Sequence, residues 1–461
     1  MRCRRATPLW RLWQRSAPRL LANGYDMTLV RAIGRWALAG LVVNDIIGSS
    51  IFGLPGELNH QLGPASPIAM VVGALAMAIL IACAAEVGSQ FPEPGGAYLY
   101  VRRTFGRFAG LQVAWFWLLA MIGGLAASAN LFVTYLGGLV PALDHHGWQR
   151  AGTTALLIAI PAIINYRGVR SGAALSSVLA VAKLLALGLL VALGLAHFGA
   201  PHKLLGLSDL AAPGWSAWLS VLLALLATYG GWEDALATAG ETREPRRSLP
   251  FALAVGLLVA TVLYTLLQYV TAAALGTTAT ERPLADVAAL LMGDVGRGFV
   301  TVAAMLSAYG YITAAMLAAP RLPYSLAVEG DCPSFLATLH HRFHTPVYPI
   351  VGFAVIGWLL AISGTFLWAI ALSAGSAAII YTGICAALLR LRVTHPAADA
   401  ARVPYGPALA VIGIALCVTL LAQVDPRHAL LMLLTAAIAT ANWLWAAGAV
   451  RRRRGQDAAA S

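Results

Sequence analysis

Charge is scarce in this chain. Only 11% of its 461 residues are Asp, Glu, Lys or Arg while 59% are apolar, against roughly a quarter charged in soluble domains. That composition excludes a soluble globular enzyme, and no catalytic residue is expected. Lysine is nearly absent, Lys183 and Lys203 being the two examples, and acids are few, 19 against 31 bases. A formal charge of +12 would point to nucleic acid in a soluble protein. Here the arginines lie between long apolar runs, so no nucleic-acid partner is expected. Cys3, Cys83, Cys332, Cys385 and Cys417 show no metal or redox spacing. The ten histidines stay outside the apolar runs or at their ends, so neither a cofactor nor a metal is expected inside a membrane. The run His340-His341-Arg342-Phe343-His344 places a cation among its imidazoles and supplies no fourth ligand.

The apolar runs themselves are long. A helix crossing a bilayer needs about 20 mostly apolar residues, because backbone groups cannot be left unpaired in hydrocarbon. Twelve runs qualify, near 36–57, 66–91, 109–140, 152–166, 172–196, 215–240, 250–275, 287–327, 347–363, 365–390, 405–423 and 429–449. The expected fold is therefore an all-α integral membrane protein with twelve transmembrane helices, spans 3 and 8 being longer than one membrane thickness. Spans 9 and 10 form a tight hairpin about Ser363-Gly364. With the N-terminus inside, 25 bases fall in cytoplasmic segments and five (Arg150, Lys203, Arg282, Arg297 and Arg427) fall outside, which leaves Lys183 within a span. Because Lys and Arg gather in short cytoplasmic loops, both termini are expected in the cytoplasm of a multi-pass protein of the plasma (inner) membrane. Residues 1–35 form a basic cytoplasmic segment, of which 1–26 are expected to be dispensable. Residues 450–461 form a cytoplasmic tail, expected to be disordered beyond Arg454.

Two spans carry interruptions. Gly48-Ser49-Ser50-Ile51-Phe52-Gly53-Leu54-Pro55-Gly56 is too rich in glycine and serine for a continuous helix, and Thr228-Tyr229-Gly230-Gly231-Trp232-Glu233 sets a glycine pair deep in span 6. These interruptions open two successive five-helix blocks, 36–197 and 215–393, with 405–449 added as helices 11 and 12. That is the arrangement of an inverted-repeat transporter whose broken helices hold the substrate. Amides at a half-helix start attract a carboxylate, and freed carbonyls accept from an ammonium. A zwitterionic amino acid presents both groups.

Charges within spans are costly and point to function. Lys183 is centred in a Leu/Ala-rich run, where a lysine can exchange a proton near neutrality and an arginine cannot. The alternative is a structural lysine bonded permanently to backbone carbonyls. Glu233 and Asp234 adjoin the second interruption, and for Glu233 a gating or proton-linked role and a helix cap are equally compatible with its position. Asp45 and Glu86 lie near cytoplasmic ends, and pairing with loop arginines is their simpler account.

The motifs resemble those of the amino acid/polyamine/organocation (APC) superfamily. Gly48-Ser49-Ser50-Ile51-Phe52-Gly53-Leu54-Pro55 is similar to its Gly-Ser-Gly-Ile-Phe signature. Ala85-Glu86-Val87-Gly88, Phe91 to Tyr100 and Thr104-Phe105-Gly106 resemble its link between helices 2 and 3. Gly240 to Pro250 and Pro320 to Pro333 resemble its segments after helices 6 and 8. The resemblance implies a LeuT-type 5+5 inverted repeat plus two C-terminal helices. It implies an amino acid permease whose substrate meets Gly48, Ser49, Ser50 and Ile51 together with Ala227, Thr228, Tyr229 and Gly230, with Phe52 and Trp232 bordering the site.

Lys183 matches the helix 5 lysine of proton-coupled members, which implies proton symport without sodium, and Glu233 joins it as a coupling candidate. Exchange of amino acids, or polyamine/amine antiport, is the alternative. Ser50 in place of the second glycine, and Ala227 where arginine/agmatine antiporters carry tryptophan, favour a small or medium amino acid over arginine. No cysteine is expected to face outside, so no obligate disulfide-linked subunit is expected. The expected partners are the amino acid, protons and the lipid bilayer.

Overall fold

In the computed structural model the described residues are 33–91, 95–140, 147–168, 172–199, 213–237, 242–394 and 402–460. The basic segment before Ile33, the residues Pro92-Glu93-Pro94, Lys203, and Gly240-Glu241 lie outside them. The described residues form sixteen α-helices and, apart from two isolated bridges, no β-pairing. In order they are α1 Arg35–Ile46, α2 Ser50–Leu62, α3 Ser66–Gln90, α4 Gly96–Phe105, α5 Arg107–Gly137, α6 Gly147–Arg167, α7 Gly172–Phe198 and α8 Trp215–Thr228. They continue with α9 Glu233–Ala237, α10 Pro245–Leu275, α11 Pro283–Ala318, α12 Arg321–Val328, α13 Val347–Ser363, α14 Phe366–Thr394, α15 Gly406–Leu421 and α16 Pro426–Ala460.

Among the described residues seven helical stretches are long and apolar enough to cross a membrane, and α8, α13 and α15 are shorter apolar helices. Their apolar residues run all round the helix surface, so each is covered by neighbouring helices on one side and left to lipid on the other. The paired helices α5 and α14 form the centre, with α11, α13 and α16 also packed on α5, while α10 packs on α1 and α3. The hairpin of α13 and α14 turns through Gly364 and Thr365. The two long runs are both found, α5 with 31 residues and α11 with 36. Helix α11 is kinked at Gly293, whose φ of 65° is open to glycine without strain, so its first ten residues are a separate segment. The tail differs from expectation: helix α16 continues through the four arginines to Ala460. Arg, Gln and Ala all favour helix, and Gly455 alone does not end one that is already propagating.

The two ends of the bundle sort the bases. At one end Arg102 and Arg107 clasp the fully buried Asp331, Arg102 at 2.8 Å, and Arg392 holds Glu86 through two bonds of 2.6 Å. At the opposite end of α5, Arg150 and Arg282 both bond Thr134, at 3.1 and 2.7 Å. Ile33 pairs with the strand-like residue Thr242, and Arg243 donates to the Ile33 carbonyl at 2.8 Å, which sets the start of α1 beside the segment after α9.

Candidate functional site: two facing helix breaks

The first break is Ile47–Ser49, between α1 and α2. A helix end leaves its last carbonyls without intrahelical partners, and in the bilayer each must be served by other groups. Here the Ile47 amide donates to Val43 at 3.0 Å and the Gly48 amide to Ile46 at 2.7 Å. The Lys183 ammonium reaches from α7 to the Asn44 carbonyl at 2.8 Å. The fully buried Tyr264 of α10 donates to Ile46 at 2.8 Å and stands 3.5 Å from the Thr228 carbonyl of α8. The other side of the break is different. Helix α2 begins at Ser50 with no side-chain cap, since the Ser49 hydroxyl is paired with Ser128 of α5 at 2.8 Å. Ser307 of α11 donates to the Gly48 carbonyl at 3.3 Å. The first turn of α2 thus carries the positive end of its dipole with no side chain neutralising it.

The second break is Tyr229–Trp232, between α8 and α9. Gly231 has φ +97°, and a Cβ there would overlap the Asp45 carbonyl. Only glycine lets the two breaks approach this closely. Glu233 closes this break: one carboxylate oxygen accepts from the Gly231 amide at 2.6 Å, and the other from the hydroxyl of Tyr381 on α14. Trp232 stacks on Tyr381 at 5.2 Å between ring centroids and donates to the Met77 sulfur at 3.2 Å, while Tyr229 donates to the Met70 carbonyl at 3.0 Å. Both rings are fully buried and their polar atoms are spent on α3. They form the wall behind the break. Phe52 is buried in the same core, and Ala227 accepts from the Gly230 amide at 3.2 Å.

The sequence-selected interruptions therefore approach one another where Gly231 packs on the Asp45 carbonyl and Thr228 neighbours the Tyr264 hydroxyl that serves Ile46, with Lys183 beside them on the Asn44 carbonyl; Gly48 and Ser49 meet Ser307 and Ser128. The acids divide. Glu86 pairs with arginine as expected, whereas the hydrogen bond of the Asp45 carboxylate comes from its neighbour Asn44, whose carbonyl holds Lys183, and not from a loop arginine. This follows from placement: Asp45 is the penultimate residue of α1, at the break, and faces α7 and α9 instead of the loops. Asp234 is exposed and near both Asp45 and Glu233. Glu233 has the geometry of a cap. Ser128, Ser307, Tyr264 and Tyr381 also shape the site, yet each sits in an uninterrupted stretch of helix that gives no local signal in the sequence.

The profile of the amino acid permease family matches residues 33–449. The chain belongs to the amino acid permease family. Among the permease's curated relatives is the serine/threonine exchanger SteT of Bacillus subtilis (strain 168), 26% identical over 339 residues, which are 70% of this chain and 74% of the relative. The polyamine transporter PUT1 of Oryza sativa subsp. japonica is 30% identical over 348 residues, 74% of this chain and 63% of that protein. The methylthioribose transporter of Bacillus subtilis (strain 168) is 23% identical over 429 residues, 86% of this permease and 89% of the relative. These relatives are transporters and not enzymes. With its apolar helices the permease is a multi-pass membrane protein.

Proposed function

We propose that this permease is a secondary active transporter of a small or medium amino acid, coupled to protons and independent of sodium. The observation that carries the reading is the uncapped start of α2 facing the carbonyl-rich ends of α1 and α8. An amino acid carboxylate fits the amides of Ser49, Ser50 and Ile51, and its ammonium fits carbonyls near Ala227 and Thr228. In this reading α1–α2 and α8–α9 are the broken first helices of two inverted five-helix repeats in a twelve-span protein with both termini cytoplasmic, working in the plasma membrane without a disulfide-linked subunit. Lys183, held on the Asn44 carbonyl, stands where its charge supports the end of α1, and gain or loss of its proton alters how α1 and α7 pack. Glu233 would act with it through the second break.

The test is uptake into proteoliposomes. An acid-outside pH gradient without sodium should drive accumulation, and Lys183→Ala should lose that drive while binding persists. Arginine at position 183 should not restore it, because a guanidinium keeps its proton. Wild-type uptake that needs sodium and ignores the pH gradient would refute proton coupling. Uptake that needs only amino acid inside the vesicle would support exchange, the second reading, favoured by the serine/threonine exchanger among the relatives. A polyamine cargo lacks the carboxylate and would leave the start of α2 unused, so binding that survives replacement of the carboxylate by a neutral group would favour it.

A further inference from the structure

We propose that Asp45 is the counter-ion of Lys183 and a positioning residue of the transport site, holding the ammonium at the end of α1. Lys183 reaches Asn44, the residue next to Asp45, at 2.8 Å, and Asn44 donates its side-chain amide to the Asp45 carboxylate at 3.4 Å. These two contacts bring the ammonium of α7 and the carboxylate together at the last turn of α1, with Asn44 between them. The other charged and titratable groups around them are Glu233 and Asp234 on α9, Tyr264 on α10, Tyr311 on α11 and Tyr381 on α14. Glu233 is committed to the Gly231 amide and the Tyr381 hydroxyl. Asp234 is exposed. Tyr264 serves the Ile46 carbonyl. Asp45 is thus the acid left to balance Lys183, and its own carbonyl is the surface against which Gly231 of the second break packs. One residue therefore links the lysine on α7, the end of α1 and the approach of α9.

The consequence for transport rests on the proton-coupled reading above, but the ion pair does not. A double-mutant cycle on the purified full-length protein, with Asp45→Asn, Lys183→Met and both together, tests it by melting temperature without any substrate. Removing either partner strands the other charge, and removing both relieves that cost. The double variant should therefore melt no lower than the weaker single variant, whereas additive losses would overturn the pair.

A second measurement uses the scarcity of lysine. With Lys183 and Lys203 the two lysines in the chain, trace acylation by acetic anhydride read by mass spectrometry reports Lys183 against an internal reference. In Asp45→Asn, Lys183 should be acylated roughly tenfold faster relative to Lys203 at neutral pH, since a nearby opposite charge holds an ammonium protonated, and Asp45→Glu should restore the slow rate. An unchanged ratio would overturn the proposal. Should both measurements agree with the pair while wild-type uptake ignores the pH gradient, the ion pair stands and the proton-coupled reading falls.

Discussion

The two helix breaks of this permease are built alike and finished differently. Both interrupt an apolar helix with small residues, and their neighbouring carbonyls share the Tyr264 hydroxyl, at 2.8 Å from Ile46 and 3.5 Å from Thr228. At the first break the new half-helix starts without a side-chain cap. At the second, Glu233 caps the Gly231 amide and is itself tied to Tyr381. In the proposed reading this difference gives the breaks separate tasks: the uncapped start of α2 receives the carboxylate, and the capped start of α9 holds in place the carbonyls at the end of α8 that meet the ammonium.

The comparison breaks most visibly at the glycines. Gly231→Ala forces a side chain into a positive-φ position and against the Asp45 carbonyl, so it should destabilise the protein by about 2–3 kcal/mol, read as a lower melting temperature. Gly48 is open by contrast, with the nearest atom to an added Cβ at 3.9 Å. Gly48→Leu should leave the melting temperature and membrane insertion unchanged while weakening amino acid binding by at least about tenfold, near 1.4 kcal/mol. Unaltered affinity in that variant would remove the first break as the substrate site.

Smaller changes sharpen the contrast. Tyr381→Phe removes one of the two bonds held by the Glu233 carboxylate and should cost about 1 kcal/mol of stability, with substrate affinity nearly unchanged if the second break is scaffold. A large loss of affinity with normal melting would reverse the division of labour. The least effect is expected of Ser50→Gly, which should widen the range of accepted amino acids by a few-fold in relative affinity, about 1 kcal/mol. Tightest binding of arginine by the unmodified protein would contradict the size argument drawn from Ser50 and Ala227.

Much of the architecture was legible in composition. Long apolar runs, helix-breaking Gly and Ser at two places, and isolated intramembrane charges located both breaks and selected Lys183. The hairpin at Gly364 and the excess length of α5 and α11 were also visible, because turns and run lengths are local properties. The kink at Gly293 and the helical tail were not, since an isolated glycine and an arginine run are compatible with several backbone paths. The fates of Asp45 and Glu86 show the limit most clearly. Both are acids near the end of an apolar run, yet Glu86 meets Arg392 and Asp45 meets Asn44, the residue that holds Lys183.

What the sequence determined alone is the solvent of this protein and where its helices must fail, because transfer of backbone and charge to hydrocarbon is governed by residue type and spacing. What only the tertiary structure decided is which groups serve the freed backbone. Ser128, Tyr264, Ser307 and Tyr381 come from four different helices, 79 to 259 residues along the chain from Ser49, Ile46, Gly48 and Glu233, which they bond. Such long-range pairings leave no periodic trace in any one segment. They depend on how α5, α10, α11 and α14 pack, and that packing determines why one break is left without a side-chain cap while the other is closed by Glu233.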